Sequence, residues 1–290
     1  MSNKTIKAYL SIITSMIIFG TLGIFRKSIT LSSSLLACFR GLLGSLFLLI
    51  FVYLKGNKLQ KIDLHKLLLL CLSGALMGLN WMFLFEAYNY TSVSIATMCY
   101  YMQPTIVILL SPLVFHEKLT PKKLICVIVS IIGMFLVSGI TSGNSLQLMD
   151  LKGILFGLSA AILYASVVML NKKIIVDDVY EKTIIQLFTA VIILVPYILF
   201  TEDLSTISFN TTSIIMTIFV GIVHTGIAYA LYFGSIKTLK TQSIAILSYI
   251  DPVCALILSA LILHELLTIQ GIIGAVFIIL AAIFSELTSD

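Results

Sequence analysis

Apolar runs of about 20 residues, each long enough as a helix to cross a ~30 Å hydrocarbon core, follow one another along the whole chain with only short polar breaks between them. Ten such spans can be drawn, at 8–25, 34–54, 67–88, 94–115, 123–141, 153–171, 183–201, 212–234, 242–263 and 268–286. The alternation of apolar and polar positions in ~10-residue segments that a membrane barrel requires is absent. The pattern predicts an all-α membrane protein. Its longest polar break, Thr141-Ser142-Gly143-Asn144-Ser145, divides the spans into two sets of five.

The pattern also repeats. Tyr101-Met102-Gln103-Pro104, running on to His116-Glu117-Lys118-Leu119-Thr120, returns 148 residues later as Tyr249-Ile250-Asp251-Pro252, running on to His264-Glu265-Leu266-Leu267-Thr268. Nine of the 20 aligned positions are identical without a gap. Such a match indicates internal duplication, so the chain divides into repeats 1–145 and 146–290. Five spans is an odd number, which predicts that the second repeat enters the membrane upside down relative to the first.

The charges agree with that inversion. With the N-terminus inside, 14 of the 18 Lys and Arg fall in inside loops, Arg26, Lys27 and Lys152 fall outside, and Arg40 lies within a span. Cytoplasmic loops carry the excess of Lys and Arg in membrane proteins, so both termini are expected in the cytoplasm. His116-Glu117, in an inside loop, is followed by Lys118, Lys122 and Lys123. Its copy His264-Glu265, expected outside, is followed by Leu266, Gln270 and Gly271.

Composition adds little to this picture but excludes alternatives. Of the 290 residues 59% are hydrophobic and 11% charged, with a mean hydropathy of +1.11, against about 25% charged in soluble domains. The net charge of +5 is spread over short loops, so nucleic acid is not an expected partner. Cys38, Cys71, Cys99, Cys126 and Cys254 all lie in apolar segments and read as small buried hydrophobes, with no metal or other cofactor expected. Lys4 and Lys7 before an apolar run resemble a signal peptide, but no small-residue cleavage site follows, and the run reads as a retained first helix. Gly74-x-x-x-Gly78 and Gly153-x-x-x-Gly157 read as close helix contacts.

Ionisable groups within a span are costly, about 2.5–3.5 kcal/mol on insertion scales, and each is a candidate for function. Asp251 lies about ten residues into its span, ~15 Å deep and close to the midplane, where its proton can be exchanged against a substrate. Pro252 and Pro104 lack the N–H that would bond one turn back, so helix kinks are expected beside Asp251 and Gln103. Asn80 and Trp81 on the third span, Tyr100, Tyr101 and Gln103 on the fourth, His224, Tyr229 and Tyr232 on the eighth, and Tyr249 on the ninth share that depth. His224, Ala228 and Tyr232 follow four-residue spacing and line one helix face. An acid among Trp and Tyr rings suits an organic cation or the ammonium end of a zwitterion; packing is the plainer role for any single aromatic. Glu86 and Arg40, nearer the outer surface, are expected to pair, as a structural pair or a gate. The His-Glu pairs read as helix-end signals and contacts.

The inverted repeat, the ten short spans, the mid-span prolines of spans four and nine, and the endings Glu117-Lys118-Leu119-Thr120 and Glu265-Leu266-Leu267-Thr268 resemble the EamA-type members of the drug/metabolite transporter superfamily. The resemblance covers nearly the whole chain. It implies a bundle of ten helices in two inverted repeats, a central cavity lined mainly by spans three, four, eight and nine, and alternating access. Family members carry amino acids, quaternary ammonium compounds, nucleosides, sugars and other metabolites. The exchange of Gln103 for Asp251 across the repeat makes the site asymmetric and disfavours a purely neutral substrate.

The resulting expectation is a secondary transporter in the cell membrane, monomeric or homodimeric, for a cationic or zwitterionic small molecule such as an amino acid or amine. Protons are a further candidate partner, with Asp251 as the coupling group. Alternatives are transport of neutral nucleosides or sugars, a channel, or an intramembrane enzyme acting on a lipid-linked substrate through Asp251, His224 or the His-Glu pairs. No H-E-x-x-H or G-x-S-x-G spacing supports the enzyme.

Overall fold

In hydrocarbon a backbone must satisfy its own N–H and C=O groups, and helices do so within one segment. The computed structural model describes residues 3–26, 28–55, 62–90, 96, 99–137, 148–176, 178–203, 210–263 and 269–287, and every regular element among them is helical. In chain order these are α1 (Asn3–Gly20), α2 (Leu22–Arg26), α3 (Ser33–Leu54), α4 (Leu64–Tyr90), α5 (Gln103–Phe115), α6 (Pro121–Val137), α7 (Leu148–Lys173), α8 (Val179–Thr201), α9 (Thr211–Phe219), a π-helical segment Val220–Ile227, α10 (Ala228–Ile236), α11 (Thr241–Leu247), α12 (Ile250–Leu263) and α13 (Ile269–Leu287).

Among the described residues, five segments are long and apolar enough to cross a membrane: Ser34–Leu54, Leu64–Ala87, Leu151–Lys173, Val179–Thr201 and Thr211–Ile236. Gln103–Phe115 and Ile269–Ala281 are shorter apolar helices. Large apolar side chains face outward, Leu113 75% and Phe200 90% exposed. Such a surface is stable only against lipid, and the chain is a multi-pass membrane protein. The stretches predicted as continuous at 8–25, 94–115, 212–234 and 242–263 are interrupted, by a turn at Thr21, a turn at Tyr101 and Met102, the π segment, and a turn at Ser248 and Tyr249. The break at 141–145 and the second His-Glu pair, 264–265, lie outside the described residues.

Helix ends are set by local chemistry. The Ser32 hydroxyl accepts from Leu35 N, the Asp178 carboxylate from Tyr180 N (2.7 Å), and Asn210 Oδ1 from Ser213 N (2.6 Å), each satisfying an N–H with no partner in its own helix. At the other pole His116 turns left-handed (φ 56°) to end α5, and buried Lys182 donates to Asn171 O (2.6 Å) at the end of α7.

Packing is by close approach. A Cβ at Gly74 would stand 2.5 Å from Gln186 O, so α4 lies backbone against backbone on α8; Gly78 meets Ala190 one turn on, and Gly157 of α7 meets Ala96 and Cys99. Polar side chains join the same helices. Gln186 Nε2 donates to Ser73 Oγ (2.7 Å) and Asn171 Oδ1 (3.0 Å), tying α4, α7 and α8 together. Cys99 and Cys126 are buried as expected, whereas Cys38, Cys71 and Cys254 are half-buried.

The bundle has two unlike ends. One gathers lysines: Lys55 lies over the Phe51 and Tyr180 rings, and Lys172 donates to Leu239 O. At the opposite end Ser34 donates to Glu202, and Thr30 to Ser213 Oγ (3.3 Å).

Candidate functional site

The two copies of the repeated motif form the same break. Helix stops at Tyr100, turns through Tyr101 and Met102, and restarts as α5. It stops again at Leu247, turns through Ser248 and Tyr249, and restarts as α12. The turns are closed by three-residue bonds, Met102 N to Cys99 O (3.2 Å) and Tyr249 N to Ile246 O (3.1 Å). The prolines therefore do not kink continuous helices, as the sequence suggests. Pro104 is the second residue of α5 and Pro252 the third of α12, first-turn positions where a missing N–H is unpaired in any case. Each proline opens a new helix, and Gln103 and Asp251 stand in those first turns, where the helix dipole favours negative charge.

Around Asp251 the groups converge. The Tyr101 hydroxyl stands near its carboxyl. Tyr249 OH and Thr105 Oγ1 are 2.8 Å apart, joining one break to the other. A Cβ at Gly20 would stand 2.8 Å from Asp251 O, so the break between α1 and α2 sits directly on α12. Tyr100 lies between Tyr101 (5.7 Å between ring centres) and Tyr164 (6.0 Å). Tyr229 meets Phe19 (5.1 Å) and Trp81 (6.5 Å), and Tyr232 meets Phe19 (6.4 Å).

Arg40 and Glu86 are not brought together. The Arg40 guanidinium lies over Trp81 (5.4 Å) and its Nε donates to Thr225 Oγ1 (3.0 Å). Glu86 accepts from Asn89 Nδ2 (2.8 Å) and Tyr197 OH (3.3 Å). Five residues along α4 from Trp81 is ~7.5 Å of helix, which carries Glu86 to another level of the bundle. Asn80 is turned away as well, its Nδ2 donating to Ala160 O of α7 (2.7 Å).

His224 lies in the π segment, and Ala228 and Tyr232 follow it in α10. His224 is held between Phe25 (5.1 Å) and Phe219 (5.7 Å), whereas Tyr232 packs on Phe19 and Phe233. Thr21 Oγ1 donates to Ile18 O (2.7 Å) and stands 2.7 Å from His224 Nε2. With its proton given to Ile18, Thr21 accepts from Nε2–H, which leaves Nδ1 a bare acceptor. His224 Nδ1, Gln103 Nε2 and Tyr232 OH are buried without a hydrogen-bond partner, at about 1–3 kcal/mol each.

The sequence reading missed Thr21, Thr105, Tyr164 and Thr225. All four are polar groups inside apolar runs, the signal that singled out Asn80 and Tyr232, but threonine hydroxyls commonly bond their own backbone and a tyrosine in an apolar run reads as packing.

A sequence profile of the EamA-like transporter family matches the chain twice, over residues 6–139 and again over 151–287. The chain is similar to an uncharacterized transporter, YxxF, of Bacillus subtilis (strain 168), 35% identical over 260 residues that cover 89% of this chain and 82% of the relative. It is also similar to a probable amino-acid metabolite efflux pump of Escherichia coli (strain K12), 26% identical over 206 residues and 68% of each chain. A solved crystal structure shares the fold with a TM-score of 0.86 at 17% identity, covering 97% of this chain and 99% of the other. Two profile matches that leave few residues uncovered, with a relative at 35% identity over most of the chain, make this protein a member of the EamA-like transporter family.

Proposed function

We propose that the chain is a secondary active transporter that moves a small zwitterionic metabolite, an amino acid or a close analogue, across the cell membrane by alternating access. The observation that carries this reading is a run of contacts joining an acidic and a basic side chain: Arg40 lies over Trp81, Trp81 meets Tyr229, Tyr229 meets Phe19, and Gly20 beside Phe19 sits on Asp251 in the first turn of α12. An ammonium group is recognised by the carboxylate of Asp251 and by the faces of Tyr101 and Tyr229, and a carboxylate by the guanidinium of Arg40. Trp81, Tyr100, Tyr232 and Tyr249 are the proposed walls of the site, and Gln103 and His224 carry buried polar atoms without a hydrogen-bond partner.

Ten spans in two inverted repeats, 1–145 and 146–290, with both termini cytoplasmic, are the arrangement proposed for this activity. The doubled profile match and the matched helix breaks at 101–102 and 248–249 support it, since discontinuous helices at a repeat interface are a common form of transporter site. The relatives named as transporters support transport over catalysis. Coupling to protons through Asp251 is part of the proposal.

The test is a thermal-shift screen of purified protein against amino acids, amines, nucleosides and sugars, followed by flux in proteoliposomes. A zwitterion should stabilise the protein. Asp251→Asn and Arg40→Gln should each weaken its binding by about 10–100-fold, from the ~1.5–3 kcal/mol of a hydrogen bond to a charged group. Stabilisation by uncharged compounds only would overturn the reading. Flux of unchanged pH dependence in Asp251→Asn would remove Asp251 as the coupling group.

A further inference from the structure

At the lysine-rich end a cavity of about 830 Å³ opens between α1, α3, the start of α8 and α10. None of the groups around Asp251 lines it. Its interior is apolar, with Phe47 and Leu48 of α3 facing Ile227 and Leu231, and its mouth carries Lys4 and Lys7. Both lysines are exposed, and no carboxylate among the described residues lies within ion-pair distance of either. Asp178, also at the mouth, is engaged with the N–H groups of Tyr180 and Glu181. The flanking surface is apolar and outward-facing, with Leu10 and Leu54 exposed, so the crevice meets lipid along its side and water at its head.

We propose that this crevice is a binding site for an anionic phospholipid, its phosphate between Lys4 and Lys7 and one acyl chain along Phe47, Leu48, Ile227 and Leu231. A soluble anion has no use for the apolar interior, and a neutral lipid has no use for the two lysines. Basic pockets between helices on the cytoplasmic side select anionic headgroups in this way. The site matters for transport because the stretch from Ile227 through α10 has two working faces. Ile227, Leu231 and Gly234 border the crevice, while Tyr229 and Tyr232 meet Phe19 and Trp81 on the other side. A bound lipid braces the helix that carries two residues of the candidate substrate site.

The test uses the full chain in neutral detergent with dioctanoyl phosphatidylglycerol, dioctanoyl phosphatidylcholine or glycerol phosphate, read by native mass spectrometry and by thermal midpoint. Phosphatidylglycerol should bind saturably and raise the midpoint, and the other two should not. The double variant K4Q/K7Q, altered only at exposed positions of α1, should weaken that binding by roughly 25-fold, about 5-fold per lysine. Leu231→Trp, which fills the crevice, should abolish it. Equal retention of the two lipids, displacement of phosphatidylglycerol by equimolar glycerol phosphate, or unchanged binding in K4Q/K7Q would each overturn the proposal.

Discussion

Replacing Glu117 by Ala should loosen the lysine-rich end of the bundle, and the structure sets the size of the effect. Glu117 follows the left-handed His116 that ends α5. Its Oε1 accepts from Thr241 N (3.1 Å) and Thr241 Oγ1 (2.9 Å) and stands 4.0 Å from Lys172 Nζ. Thr241 is the first residue of α11, and Lys240 before it supplies no capping side chain. Glu117 therefore caps α11 from a position 124 residues away in sequence. Loss of a helix cap costs about 0.5–2 kcal/mol, and a hydrogen bond to a charged group about 1.5–3 kcal/mol. One oxygen serves both contacts, so the two do not add in full.

Lys172 keeps Leu239 O as a partner, and Gln242 still holds Lys123 Nζ (2.5 Å) and Ser111 Oγ (2.9 Å) beside the lost contact. The net cost is therefore about 2–3 kcal/mol for Glu117→Ala, and about 1 kcal/mol for Glu117→Gln, which keeps an acceptor oxygen. Trp81 is the only tryptophan in the chain, so its fluorescence during reversible unfolding in mixed micelles reports the change. A cycle with Thr241→Val should give a coupling energy of about 1–2 kcal/mol, as for residues in direct contact. Zero coupling, or a Glu117→Ala protein within 0.5 kcal/mol of wild type, would refute the trans-cap.

Two further changes test the packing. Gly74→Ala sets a methyl group 2.5 Å from Gln186 O and 2.8 Å from Thr189 Cβ, and should cost at least the ~1–3 kcal/mol of overpacking, seen as loss of monodisperse protein on size exclusion. Gly234→Ala, whose nearest neighbour is 3.5 Å away, should be tolerated in the same assay. Tyr249→Phe leaves the buried Thr105 hydroxyl without its 2.8 Å partner and should destabilise by about 1–2 kcal/mol; adding Thr105→Val should recover most of that loss, measured by the same unfolding transition.

Several features of the candidate site were legible in residue order because they are local. Asp251 announces itself as a carboxylate in an apolar run, and the paired prolines at 104 and 252 mark where the helices are interrupted. The form of the interruption was not legible. A proline in an apolar run reads equally as a kink in one helix or as the first turn of another, and only the turns at Tyr101–Met102 and Ser248–Tyr249 distinguish them. The π segment was hidden for a related reason. Its extra residue is stabilised from outside, where Gly44 packs on the backbone of Gly221 and Gly226 and Arg40 donates to Thr225.

What residue order determined by itself was the solvent and the class: a chain this apolar must lie in lipid, its backbone must be helical there, and its duplicated motif names the positions to inspect. What only the tertiary structure decided was partnership. In water a helix shows its inner face by being apolar there, but in a bilayer both faces are apolar and the pattern does not reveal which way a side chain turns. Counted along their spans, Arg40 and Glu86 lie at similar depths, but with Arg40 over Trp81 the structure sets Glu86 about 7.5 Å further along α4. Each residue advances ~100° around its helix, and that rotation, together with which helices are neighbours, sends Arg40 to Trp81 and Thr225 and Glu86 to Tyr197 and Asn89.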